Sequence, residues 1–169
     1  GPDVLAESAS DWFADADAVV RFWHLVWNKI CLEEQYVPLQ PVDAYEIAPG
    51  INGSMLGSIL EANGDVRLHV SNGALASFIE TLPLLQPHGF IKVHDLFVTA
   101  RDQYATNFRG PGKYEGSVVN WINGPLLAAV AARKGFEVQF EPFSHRKGSN
   151  IITMSARITS AARSRVPVW

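Results

Sequence analysis

Residues 66–98 read VRLHVSNGALASFIETLPLLQPHGFIKVHDLFV, and the rhythm of that stretch decides the fold. Val66–Val70 alternates as a short strand. Ser71-Asn72-Gly73 breaks it with residues that favour turns. Ala74–Leu85 then follows at helical spacing, with Leu75, Phe78, Ile79 and Leu82 on one side. Pro87-His88-Gly89 closes the helix, and Phe90–Val98 is an apolar strand of the kind that fills a central parallel position.

Upstream, Asp43–Ala48 reads as a strand, Pro49-Gly50-Ile51-Asn52-Gly53 as a turn and Ser54–Ala62 as a short helix. Further back, Asp11–Tyr36 carries a helical stripe of Val19, Trp23, Val26, Trp27 and Ile30, capped by Ser10, Asp11 or Asp15 and ended by Pro38 and Pro41. Downstream, Thr99–Ser117 reads as a long loop and Val118–Lys134 as a helix interrupted near Gly124-Pro125 and capped by Gly135. Phe136–Phe143 and Ser149–Ile158 alternate across a short glycine-containing turn, the pattern of an antiparallel hairpin. Strand, turn, helix, strand implies an α/β domain with a mostly parallel sheet of about five strands and helices on both faces. Gly1-Pro2 reads as a tag remnant, residues 1–10 as a disordered start, 11–158 as a single domain and 159–169 as a tail.

Composition narrows the function classes. Hydrophobic residues make up 47% and charged residues 18%, as in an ordinary globular protein. Fourteen Lys and Arg against seventeen Asp and Glu leave a net charge of −3, which gives no reason to expect a nucleic-acid or anionic-membrane partner. No apolar run approaches the roughly 20 residues that span a bilayer. A lone cysteine, Cys31, excludes an internal disulfide, and a cytoplasmic location is expected. The five histidines, at 24, 69, 88, 94 and 145, match no metal-ligand spacing, so no metal is expected.

Three strings carry a resemblance to a known family. Leu84-Leu85-Gln86-Pro87-His88-Gly89-Phe90 is similar to an "LL-x-PGG-x" turn, with His88 for its first glycine. Gly135-Phe136-Glu137-Val138 is similar to "GF-x-V", and Ser149–Met154 resembles the strand that follows it. In this order they resemble the C-terminal part of class I S-adenosylmethionine-dependent methyltransferases, which implies a Rossmann-like α/β fold. Glu46-Ile47-Ala48-Pro49-Gly50-Ile51-Asn52-Gly53 is similar to that family's acidic, glycine-rich cofactor turn, with Ala48 for a glycine and Asn52 inserted. In a second alignment Tyr45-Glu46 ends the family's second strand, where an acid bonds ribose hydroxyls, and the glycine turn is absent.

The resemblance implies S-adenosylmethionine as cofactor, bound by Glu46, Gly50, Asn52, Gly53, Ser71, Asn72, Gly73 and Ala74. It implies methyl transfer to a small molecule, in a truncated or degenerate member. His94 is the candidate general base beside Asp95. Arg109, Lys113 and Tyr114 in the glycine-rich loop, with Asn120, are the candidate substrate contacts, and Trp121 and Asn123 open the following helix near the same cleft. A second reading is a non-catalytic methyltransferase-like binding module that forms a homodimer through an exposed sheet edge or the N-terminal helix. A third is a nucleotide-sugar or phosphate-binding enzyme that uses the glycine-rich loop.

Overall fold

The computed structural model describes residues 15–35, 38, 45–56, 69–86, 88–100, 111–114 and 116–160. The chain divides into two compact units, one of residues Gly1–Gln35 and Pro111–Val119, the other of Tyr36–Gly110 and Asn120–Trp169.

The first unit contains helix α1, Ala16–Trp27. Asp15 is its N-cap: extended in backbone, it accepts a hydrogen bond from the amide of Asp17 at 3.0 Å. The helix ends at Asn28, well before the expected proline stop. Later in the chain the unit holds an antiparallel hairpin, with Gly112–Tyr114 paired to Ser117–Val119. Here the expected loop is partly strand. Lys113 donates to the carbonyls of Trp27 and Ile30, so its ammonium satisfies acceptors at the C-terminus of α1.

The second unit begins with two very short strands, β1 (Glu46–Ala48) and β2 (Ile51–Asn52), paired antiparallel around Pro49-Gly50. A 3-10 turn over Gly53–Leu56 follows. Helix α2 spans Asn72–Thr81 and passes into a 3-10 turn at Leu82–Leu84, where Pro83 lies in the first turn. Strands β3 (Phe90–Asp95) and β4 (Phe97–Val98) come next. With the first unit's hairpin strands counted as β5 and β6, strand β7 is Ile122–Asn123, helix α3 is Gly124–Arg133, and β8 (Phe136–Pro142) and β9 (Ile152–Ile158) close the unit.

The expected five-stranded parallel sheet is not present. The main sheet has three strands in the order β3-β9-β8, and both pairings are antiparallel. The one parallel pair among the described residues is β4 with β7, two residues long. The apolar run at 90–98, read as one central parallel strand, breaks at Leu96 and serves two sheets. Apolarity alone does not tell a parallel partner from an antiparallel one, and β9, folding back through its hairpin, takes the position beside β3. The run read as helix from Val118 starts helical only at Gly124. Pro125 suits a first turn and Asn123 a cap, while Ser117-Val118-Val119 and Ile122-Asn123 are extended. The helix read over 54–62 is described only as the 3-10 turn, and residues 66–68 of the expected second strand lie outside the described residues.

The terminal hairpin forms as expected. Its register runs from Phe136↔Ile158 to Pro142↔Ile152. Gly135 stands just past α3 at φ +82°, where a left-handed residue ends the helix. The three-stranded sheet is two-sided in chemistry. Ile91, Val93, Val138, Phe140, Met154 and Ala156 belong to the core or pack on it, together with Leu126, Leu127, Val130 and Ala131 of α3 and Leu75 and Phe78 of α2. The intervening positions are Lys92, His94, Glu137, Gln139, Ser155 and Arg157, the polar set of a sheet with one solvated face. Helices on both faces were the expectation; instead α2 and α3 contribute to the core on the apolar side of the sheet.

Candidate functional site

The segments expected to hold a cofactor converge at the end of β1 and the start of α2. The side-chain amide of Asn72 donates to the carbonyl of Ile47 at 2.7 Å, across 25 residues of sequence. The Tyr45 hydroxyl reaches the Asn72 carbonyl oxygen at 3.5 Å. Glu46 Oε1 accepts from the Gly50 amide at 3.0 Å, and Gly50 takes φ +69°, a conformation that glycine adopts without steric cost. The acid and the turn glycine are therefore one local structure.

Ser71, at φ 57° and ψ 46°, is the one non-glycine residue in the left-handed region among the described residues. Its hydroxyl does not cap α2. It accepts instead from the backbone amide of Asn123 at 3.2 Å. The first-turn amides of Asn72, Gly73 and Ala74 are thus left without a side-chain cap, at the positive end of the helix dipole.

Asn123 ties this junction to α3. It is 1% exposed, caps α3 by accepting from the Leu126 amide at 3.0 Å, and donates to the His69 carbonyl at 2.9 Å. Asn120 stands 3.5 Å from His69 Nδ1. An open, polar groove of ≈ 510 Å³ is lined by Glu46, Gly50, Ile51, Asn52, Ser54 and Arg133. Asn52 is partly engaged within it, accepting from the Ser54 amide at 3.2 Å. Gly53 is buried at the start of the 3-10 turn.

A second cavity, ≈ 260 Å³, lies between α2 and the sheet. Its lining includes Ala74, Phe78, Val93, Asp95, Ile122 and Met154. Ala74 and Asp95, expected in cofactor and acceptor roles, therefore line one cavity, from α2 and from β3. His94 and Asp95 do not form a dyad. Adjacent residues of a strand point to opposite faces, and His94 turns to Thr153, its cross-strand partner, with Nδ1 and Oγ1 2.9 Å apart. Its ring lies 5.0 Å from that of Phe143. Asp95 Oδ1 accepts from the Leu96 amide at 2.7 Å.

The expected substrate loop divides. Arg109 lies outside the described residues. Lys113 is engaged by α1, with its ammonium 4.8 Å from the Trp27 ring centroid, and Tyr114 is largely exposed. Both belong to the first unit. Arg133 was not singled out by the sequence: a basic residue in the last turn of a helix is ordinary, and only the fold brings it to the groove beside Glu46. Among the described residues no cluster of three or more histidine, cysteine, aspartate or glutamate side chains could hold a metal ion. No helix among them is long and apolar enough to cross a membrane. No family model, no curated protein and no solved structure matches the chain.

Proposed function

We propose that the second unit binds S-adenosylmethionine at the β1–α2 junction and acts as a methyltransferase on a small molecule. The observation that carries this reading is the Asn72-to-Ile47 hydrogen bond, which joins the two segments expected to hold the cofactor. The reading rests on that junction and not on the order of the sheet.

The residues fit the group chemically. Glu46 offers a carboxylate to ribose hydroxyls at an exposed strand end, with its orientation held by the Gly50 amide. The uncapped amides of Asn72, Gly73 and Ala74 offer donors to a carboxylate, and Arg133 adds a cation at the groove. Asn120, near His69, borders the same junction. When bound, the cofactor supplies an electrophilic methyl group on a sulfonium. The chain contributes placement: holding the two reactants in line supplies a large part of such a rate enhancement without an acid, a base or a metal. Asp95 is the side chain positioned to orient an acceptor. His94, on the other face and engaged with Thr153, is not.

Calorimetric titration with S-adenosylhomocysteine tests the reading. Saturable, one-to-one binding is expected. No heat at millimolar ligand contradicts it.

One observation favours assembly as a second role. No α1 side chain is buried, and Val20, Trp23 and Leu25 are 53%, 47% and 63% exposed. An apolar helical surface of this kind suits pairing with a second copy.

A further inference from the structure

We infer that the cavity beneath α2 is a binding site for a small aromatic amine, seated with its ammonium at Asp95. The walls are built by strand and helix periodicity. Ile91, Val93 and Asp95 alternate on one face of β3, and Met154 is the cross-strand partner of Val93. Phe78 closes the side toward α2, and Ile122 of β7 the side toward the parallel pair. The lining is thus mostly apolar, with Ser77 and Thr81 of α2 as its hydroxyl-bearing members and Asp95 as its one charged group.

Size and charge set the ligand class. A cavity of about 150 Å³ lined by apolar side chains takes benzene, and drug-sized ligands need roughly 300 Å³ or more. At ≈ 260 Å³ the space suits one ring or two fused rings with a short chain. Asp95 stands at the rim with one oxygen engaged by the Leu96 amide. No ion pair joins Asp95 to a basic side chain among the described residues. A carboxylate beside an apolar pocket selects a cation, or a strong hydrogen-bond donor, attached to an apolar body. Ala74, in the first turn of α2, lines this cavity as well, so the bound amine lies beside the segment proposed to hold the cofactor. That the amine is the methyl acceptor rests on the methyltransferase reading. That the cavity binds it does not.

The test uses the full chain, with 2-phenylethylamine and 2-phenylethanol as probes and titration calorimetry as readout. The amine is expected to bind saturably, at least tenfold tighter than the alcohol. Asp95→Asn is expected to remove that preference. Ser77→Trp, which fills the space from an exposed position on α2, is expected to abolish binding of both probes while leaving the unfolding midpoint near that of the parent. Equal affinity for the two probes, amine binding unchanged in Asp95→Asn, binding that survives Ser77→Trp, or no saturable binding at all would overturn the inference. S-adenosylhomocysteine is titrated separately. Amine binding without it sustains the cavity and removes the methyltransferase reading, and the opposite result removes the cavity alone.

Discussion

Asn123 and Gly124 show how much of the second unit depends on single side chains. The buried side chain of Asn123 caps α3 by accepting from the Leu126 amide, and Asn123→Ala removes that cap. Caps of this kind contribute about 0.5–2 kcal/mol, and a destabilisation of that size is expected from urea unfolding. The neighbouring glycine is required for a different reason. A Cβ at Gly124 would stand 2.4 Å from the carbonyl oxygen of Val98 and 3.0 Å from the Phe140 ring. Gly124→Ala must therefore push α3 away from β4, and a loss of about 1–3 kcal/mol is expected, typical of overpacking. Neither role was legible in the chain. Asn123 read only as a polar residue near a helix start, and the close approach that requires glycine arises from β4 and β8, distant in sequence.

At the scale of elements, the parts governed by local chemistry were legible. The hairpin of β8 and β9 alternates across a glycine turn, and both strands form within the expected runs, β9 beginning at Ile152 and not at Ser149. The left-handed Gly135 after α3 is another feature that local chemistry sets. The pairing of β3 was not legible, because an apolar strand records that it is buried and not which partner buries it. The start of α3 lies later than Val118 for a local reason: Gly124-Pro125, which reads as an interruption, is with the Asn123 cap the start itself. The two-sided sheet makes a further prediction. Met154→Ala, on the core face at 1% exposure, is expected to cost about 2–5 kcal/mol, whereas Gln139→Ala on the polar face stays within about 0.5 kcal/mol. Paired denaturation curves check the contrast, and similar losses at both positions would contradict the assigned faces.

At the scale of the molecule, two units divide the expected single site. Lys113 binds the carbonyl end of α1 within the first unit, so the basic loop expected to contact substrate is committed in part to local structure. The exposed face of α1, with an open groove of ≈ 470 Å³ along Val20, Trp23 and Trp27, predicts self-association. Light scattering is expected to give a dimer mass that falls to the monomer in a Val20→Ser, Trp23→Ser double variant. A monomer at every concentration contradicts the assembly role and leaves the cofactor junction untouched. In the second unit, the meeting of β1 and α2 brings Ile47 and Asn72 together. The turn and the helix start were each visible as local patterns, but their contact across 25 residues was not.

That contact is the basis of the functional reading. It is tested most directly by following backbone and side-chain amide resonances during titration with S-adenosylhomocysteine. The largest shifts are expected at Glu46–Gly50, at Asn72–Ala74 and at the Asn72 side-chain amide. Resonances that stay fixed at those positions, or shifts confined to other parts of the chain, would contradict a cofactor site at this junction.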